Sequence, residues 1–281
     1  MKLIVGLLLG VLSIGAQQNF DNVQVKATQL APTIFMLTGS GGNIGVSAGP
    51  DGILIIDDQF APLAGKIEAA LKEISPGKLK FVLNTHFHGD HTGGNAHFGS
   101  NAHIIAHENT RKHLLTGPPG ALPIITFDDS LHIHFNGEEI RMFHLPPGHT
   151  DGDCVIHFTK SNVIHMGDQF FSGRFPNIDL GGGGDVHGFT KNVGDMIGKI
   201  PADAKIIPGH GPLSGIEEMK KFHKMLTETT GLVEAEIAKG KSLKEIQDSN
   251  LLAAYKAWEA PTLSLNRWIE IIYQSATRKK S

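Results

Sequence analysis

Between residues 84 and 95 the chain reads Asn-Thr-His-Phe-His-Gly-Asp-His-Thr-Gly-Gly-Asn, placing His86, His88, Asp90 and His91 within six consecutive positions. So dense a set of imidazoles and carboxylate is a metal site before it is anything else. The run Lys78-Leu79-Lys80-Phe81-Val82-Leu83 ahead of it is apolar, β-branched and aromatic, which predicts a buried strand. Gly93-Gly94 behind it leave room for the chain to turn into a helix. Imidazole and carboxylate suit borderline and hard divalent ions, and no thiolate stands nearby, so zinc is the first expectation, with iron or manganese behind it. His86 and His88, two apart in extended chain, point to one side and can share an ion, whereas Asp90 and His91 lie beyond the turn and point elsewhere. One ion cannot easily use all four, but two can.

Residues 1–16 carry the single charge of Lys2 and an unbroken apolar run from Leu3 to Ile14, ending in small residues. This predicts a secretory signal peptide, a run too short to span a membrane, and therefore a periplasmic or secreted protein without a stable membrane anchor. No cysteine stands at the cleavage point for a lipid. The remainder, residues 17–281, is expected to be a single domain with a helical extension over about 213–281. Removing the leader with Lys2 takes the formal charge from −3 to −4. A mildly acidic chain argues against nucleic acid and anionic membrane surfaces as partners and leaves a small molecule as the expected substrate. The only cysteine, Cys154, excludes an intrachain disulfide and lies in an apolar run, where a small buried hydrophobe is expected rather than a nucleophile.

Along the chain, a strand pair is predicted around Ala31-Pro32, a hairpin from residues 44–48 and 53–56 around Gly49-Pro50-Asp51-Gly52, and a helix over 64–74. After the histidine cluster come a strand at 102–106, a helix at 108–115, and a Gly/Pro-rich loop from Gly117 expected to overhang the site. Strand pairs follow at 131–135 with 140–145 and at 154–158 with 163–166, then a flexible glycine loop at 181–184, a helix at 188–200 and a last strand at 204–207. Both halves read as strands followed by helix and strand, which suggests two sheets face to face with helices outside. Ser214-x-x-Glu217 and Ser242-x-x-Glu245 predict capping boxes for two C-terminal helices. Trp258, Trp268, Tyr255 and Tyr273 gather in this last segment, where packing onto the sandwich is favoured over a substrate platform.

A shared ion needs further ligands, and the candidates are residues at strand ends. His149 in Pro-Pro-Gly-His-Thr-Asp-Gly and His210 in Pro-Gly-His-Gly-Pro both follow strands and are braced by Pro and Gly. Asp168, after the run 163–167, has oxygens for two cations. His132, His134, His157 and His165 fall inside strands as core or surface residues, and His97, His103, His107, His113 and His223 lie in or near helices without partners. His187, after the glycine run, is either an exposed loop residue or one that reaches over the substrate.

Taken together, Asn84-Thr85-His86-x-His88-x-Asp90-His91, Gly148-His149-Thr150, Gly167-Asp168 and Gly209-His210-Gly211 resemble the five-part signature of the metallo-β-lactamase superfamily, over roughly residues 23–212. The resemblance implies an α/β fold, the αββα sandwich, with two zinc ions per chain at one edge between the sheets. It implies His86, His88 and His149 on the first ion, Asp90, His91 and His210 on the second, Asp168 bridging, and Asp57 supporting the ligands from behind. It implies a hydrolase cleaving an amide or ester bond with a hydroxide between the metals, oriented by Asp90 as the catalytic carboxylate. The leader, the length and the stretch 175–182 resemble periplasmic class B β-lactamase-like proteins carrying aspartate in place of the metal-site cysteine or serine. Asp168 also makes the site similar to hydroxyacylglutathione hydrolases and lactonases, so a lactonase or thioesterase is the alternative. A non-enzymatic periplasmic metal-binding protein is the third reading, opposed by a complete set of seven ligands. The substrate walls are expected from residues 38–43, 116–126 and 169–187.

Overall fold

The computed structural model describes residues 19–278, so the predicted export segment at 1–16 lies outside the described residues. Two sheets stack face to face. The first has seven strands in sequential order: β1 (Lys26–Ala31), β2 (Ile34–Thr38), β3 (Ile44–Gly49), β4 (Gly52–Ile56), β5 (Leu79–Leu83), β6 (His103–His107) and β7 (Ile125–Phe127). It is antiparallel through β4, and β4 to β7 run parallel. The second is ordered β12-β11-β10-β9-β8, from β8 (Ser130–Phe135), β9 (Glu138–His144), β10 (Cys154–Phe158), β11 (Val163–His165) and β12 (Lys205–Ile207). Only its β11–β12 pair is parallel.

Every residue of β4 is buried because both faces of its sheet are covered, which is why such strands read as unbroken apolar runs. Leu54 and Ile56 turn inward, with Leu83 and Ile105, to meet Ile140, Met142, Ile156 and Phe158 of the opposite sheet. Ile53 and Ile55 turn outward onto Ile67 and Leu71 of α1 (Ala64–Ile74), which covers this face. On the other side, Val155, Ile164 and Ile206 pack outward against the long helices. The sandwich is therefore helix, sheet, sheet, helix, the fold expected from the sequence.

Short helices α2 (Gly89–Thr92), α3 (Asn95–Phe98) and α4 (Glu108–Leu114) follow β5 and β6. Helices α5 (Val186–Lys199), α6 (Ile216–Ala238), α7 (Leu243–Asp248) and α8 (Leu265–Thr277) cover the second sheet. Ser242 and Glu245 cap α7 as predicted, the Ser242 N–H donating to Glu245 Oε2 at 2.8 Å. The cap of α6 lies one residue later than predicted and keeps only the glutamate half of the box. Gly215 N–H donates to Glu218 Oε2, while the Ser214 hydroxyl reaches Ser172 Oγ at 2.8 Å and ties the helix start to a loop of the site. Ile216, Met219, Phe222 and Leu226 form the buried stripe of α6.

The aromatics of the last segment pack as expected. Trp268 is fully buried on α8, donates its indole N–H to Thr229 Oγ1 at 2.9 Å, and stacks on Phe175 with centroids 5.7 Å apart. Trp268→Ala removes this ring and one of the hydrogen bonds of the Thr229 hydroxyl, which still donates to the Met225 carbonyl at 2.8 Å, and should cost about 3–5 kcal/mol of unfolding free energy. Chemical denaturation of the variant measures it; a loss below about 1 kcal/mol would show that α8 contributes little to the core.

Candidate metal centre

The strands bring the polar residues to one edge. β4 pairs parallel with β5 up to Ile56 and Leu83, and β11 with β12 up to His165 and Ile207, so residues that follow these ends emerge side by side. The loops there are bonded across the two sheets: Cys154 N–H donates to the Thr85 carbonyl and Asn43 N–H to that of Gly209, each at 2.8 Å. Asn84 and Asn95 exchange side-chain hydrogen bonds of 3.1 and 2.9 Å, closing the cluster loop at its base. Gly93 and Gly94 form the turn into α3, as expected, and also serve close packing, since a Cβ on either would lie 2.8 Å from backbone oxygen of Gln59 or Asp58.

Asp57 stands behind this loop, fully buried and with φ of 62°, in the left-handed region that few non-glycine residues adopt. One oxygen accepts from Thr85 N–H at 2.7 Å; the other accepts from the Thr85 hydroxyl and from His91 Nδ1, also at 2.7 Å.

His86 Nε2, His88 Nδ1 and His149 Nε2 face one another at 3.1, 2.9 and 3.2 Å. Their outer nitrogens decide the tautomers. His149 Nδ1 can only donate to the Asn177 carbonyl, and His88 Nε2 donates to Asp179 Oδ2 at 3.0 Å. The Thr85 hydroxyl gives its proton to Asp57, so it accepts from His86 Nδ1 at 3.0 Å. Each ring thus turns a lone pair inward, and three converging lone pairs cannot hydrogen-bond one another. Burial, chiefly, holds His86 well below its usual range and takes His149 down to about 4, keeping both rings neutral.

The second group is Asp90, His91 and His210. His210 Nε2 is 3.5 Å from His91 Nε2 and 3.3 Å from Asp90 Oδ2. Burial opposes protonation here too, but Asp168, Asp57 and Asp90 together hold His91 well above its usual range, and Asp168 with Asp90 takes His210 up to about 9. Asp168 lies between the groups, its Oδ2 at 3.4 Å from both His149 Nε2 and His210 Nε2. Against its burial, His210, His91 and His149 keep this carboxyl well below the usual range. Its Oδ1 is buried without a hydrogen bond, in charge contact only with His91 Nε2 at 3.1 Å.

These residues fit metal ions. Donors bonded to zinc at its usual length and at tetrahedral angles sit about 3.3 Å apart, and the inward nitrogens approach that spacing. The seven residues expected as ligands fall into two groups that could each hold an ion, His86, His88, His149 and Asp168 in one and Asp90, His91 and His210 in the other.

Asp179 and Thr85 were not singled out from the sequence; Asp179 is 91 positions from the histidine it holds, and no local pattern marks it. The glycine run after it is bonded rather than loose: Gly182 N–H donates to Asp179 Oδ1, and Asp151 N–H to the Gly182 carbonyl. His165 is a buried strut between the Asn43 carbonyl and Gly167 N–H. His187 lies on α5, paired with Glu234 away from the site. His97, His107 and His113 do have partners: Glu68, a stack on His144, and Asp151. Burial raises the Cys154 thiol well above its usual range, as expected of an inert core residue.

A cavity of about 770 Å³ opens over the centre, walled by segment 38–43 as expected and by residues 168–177, so that of the expected 169–187 only the first half lines it. Residues 116–126 are not part of it. Asn95 donates to the Ala121 carbonyl and Ile124 N–H to that of Ile104, which lays that loop beside β6 instead. Phe60 and the turn at Thr262-Leu263 complete the walls.

A family model described as the metallo-beta-lactamase superfamily matches residues 37–210, which contain all of this centre. The chain belongs to that superfamily. A hydroxyacylglutathione hydrolase of Polaromonas sp. strain JS666 is 28% identical over 153 residues, 53% of this chain and 55% of that one. The 2,4-dinitroanisole O-demethylase subunit alpha of Nocardioides sp. strain JS1661 is 29% identical over 136 residues, 46% of this chain and 42% of that one. The chain spans about half the length of the curated relatives it matches. Among solved structures, a metallo-beta-lactamase from Pontibacter korlensis superposes with a TM-score of 0.62 at 18% identity, over 73% of this chain and 99% of that one, which shows the shared fold. No helix among the described residues of this superfamily member is long and apolar enough to cross a membrane.

Asp179→Ala should free the His88 ring and weaken metal binding at the first group by tenfold or more, read by competition with a chromophoric chelator. Asp179→Asn keeps an acceptor oxygen and should bind nearly as the unmodified protein does. Equal affinities in all three proteins would mean that Asp179 does not hold the ring.

Proposed function

We propose that this superfamily member is an exported two-zinc hydrolase that cleaves acyl bonds of small molecules. The observation that carries the reading is the set of three inward lone pairs, fixed by outer partners, beside a second group that shares Asp168 with it. When bound, a pair of such ions supplies a water acidified to near neutral pH and a Lewis acid for the scissile carbonyl. The chain's own residues do the rest. His86, His88 and His149 define the first position, and Asp57 orients His91 directly and His86 through Thr85. Asp90 lies on the cavity wall with one oxygen toward His210, leaving the other to orient the attacking water, take its proton and pass it to the leaving group. Phe171, stacked on His210 at 5.2 Å, shields the second group from bulk water. The apolar run at residues 3–14 supports export.

Asp168 favours a thioesterase or lactonase over a β-lactamase within this class. A carboxylate between the groups competes with the leaving group for the second position, which a β-lactam amine needs more than a thiolate or alkoxide does. The several hydroxyacylglutathione hydrolases among the relatives agree. One panel tests the proposal: a chromogenic cephalosporin, a penicillin, an acyl-homoserine lactone and a hydroxyacyl glutathione thioester, on protein whose metal content is known. Two ions per chain and chelator-sensitive turnover, fastest on the thioester, are expected. Turnover of none of the four by metal-replete protein would overturn the hydrolase reading, and cephalosporin turnover above the rest would restore the β-lactamase one.

Asp90→Asn should keep its substrate affinity and lose turnover. Removing a preorganised charge that orients the attacking water raises the barrier by about 3 kcal/mol, roughly a hundredfold in kcat. Steady-state kinetics on metal-replete variant decides it; full kcat would rule Asp90 out as the orienting base.

A further inference from the structure

Each of the two sheets ends in two edge strands, and three of these four edges are blunted. β1 carries a bulge between Gln29 and Ala31, and Lys205 Nζ donates to the Leu30 carbonyl there. β12 is covered by the segment ahead of α6, Ile206 and Ser214 exchanging backbone bonds of 2.9 and 3.0 Å. The exposed residues of β8 are polar: Ser130, His132 and His134. β7 has none of these devices. Ile124 and Ile125 are 66% and 42% exposed at its start, and Leu115, which ends the α4 helix packed beside it, is 60% exposed. Large apolar side chains at an unblunted strand edge mark a surface that pairs with another chain.

The backbone of β7 is open on that side. Ile124 N–H donates to the Ile104 carbonyl of β6 at 2.9 Å, so the alternation of an extended strand turns the N–H and C=O of Ile125 and Phe127 the other way, to the free edge. Among the described residues, no segment outside the sheet bonds to the backbone of either. Charge is laid out along the same strip. Arg111 of α4 is half-buried at the start of the strand, held by the Pro123 carbonyl, and Asp128 and Asp129 stand exposed at its end. None of these three side chains has an ion-pair partner among the described residues.

We propose that β7 is the seam of a two-fold dimer of this chain, pairing antiparallel with β7 of a second copy and joining the two seven-stranded sheets. The partner is a second copy because the strip is complementary to itself: turned end for end, its basic start meets its acidic end. With the axis at Thr126, Ile125 and Phe127 exchange backbone bonds with Phe127 and Ile125 of the second copy, and their side chains cover each other on one face of the joined sheet. A β-branched residue opposite an aromatic one is a favourable cross-strand pair. The same register sets Pro123 opposite Asp129 of the second copy, which gives Arg111 the carboxylate it lacks. The seam uses none of the residues that wall the cavity over the metal centre.

Light scattering on the full chain over a dilution series reads the mass in solution. The expected result is twice the chain mass at high concentration, with the monomer–dimer midpoint of Ile125→Lys at least about tenfold higher in concentration. Thr28→Lys, an exposed position on the β1 edge, should dimerise as the unmodified protein does. A monomer at every concentration, or a dimer that Ile125→Lys leaves unchanged or that Thr28→Lys disrupts equally, overturns the seam. Should Ile125→Lys fail to fold by circular dichroism, Thr126→Cys decides. The axis sets position 126 opposite itself in a non-hydrogen-bonded pair, with about 4.5 Å between Cα atoms and so within disulfide reach, while the native Cys154 is buried. Oxidised glutathione should link Thr126→Cys into a covalent dimer on a non-reducing gel and leave Thr28→Cys unlinked; any other pattern overturns the inference.

Discussion

The buried carboxylate of Asp57 is the constraint on which the centre depends. A charge with no water around it is costly unless its lone pairs are filled, and three donors within 2.7 Å fill them. Two of those donors belong to Thr85, whose carbonyl accepts from Cys154 of the other sheet, so satisfying Asp57 also fixes how the two sheets meet at this edge. The same bonds set the proton on His91 Nδ1 and, through the Thr85 hydroxyl, the proton on His86 Nδ1. One carboxylate therefore orients a ring in each of the two groups. The left-handed backbone at Asp57 is tolerated because this network determines its position from three directions.

The two groups differ electrically even though both are built largely from histidine. Around His86 and His149 burial dominates and the rings stay neutral, so those nitrogens are ready donors without losing a proton. Around His91 and His210 three carboxylates outweigh burial, and the rings favour the charged form. A field that attracts a proton attracts a metal ion at the same place. The first group offers geometry prepared in advance, the second offers charge, and Asp168 belongs to both. This is a physical basis for unequal affinities at two positions that share a ligand.

Much of this was legible because the ligands sit where strands end, next to glycine or proline that no core position would want. His149 and His210 are flanked in that way, and the parallel pairs β4–β5 and β11–β12 carry the ends that precede Asp57, His86, Asp168 and His210 to one edge. What was not legible depends on long-range packing. The bond from Asp179 to His88 and the turn at Thr262-Leu263 have no local signature. Residues 116–126 misled because Gly and Pro mark a loop but not its direction; Asn95 and β6 draw it sideways. The start of α6 slipped by one residue and kept only the glutamate half of its cap, because the Ser214 hydroxyl meets a second demand, from Ser172.

The family match ends at residue 210, yet the cavity does not. Its wall continues through Pro212 and Leu263, and Phe175 on that wall is anchored by Trp258 and Trp268 of the C-terminal helices. The reacting centre thus lies in the part of the chain that relatives share, while the surface that meets the rest of the substrate is built partly from a segment outside the match. The chemistry is carried by the matched stretch alone, whereas the cavity wall draws on both that stretch and the segment beyond it. A relative can therefore share every ligand of the centre and still act on a different molecule, and substrate has to be argued from Phe60, Phe175 and Leu263 rather than from the histidines. Because Phe175 stacks on Trp268, the packing of the outer helices also sets the shape of the pocket, and a change deep in that layer reaches the substrate through one aromatic contact.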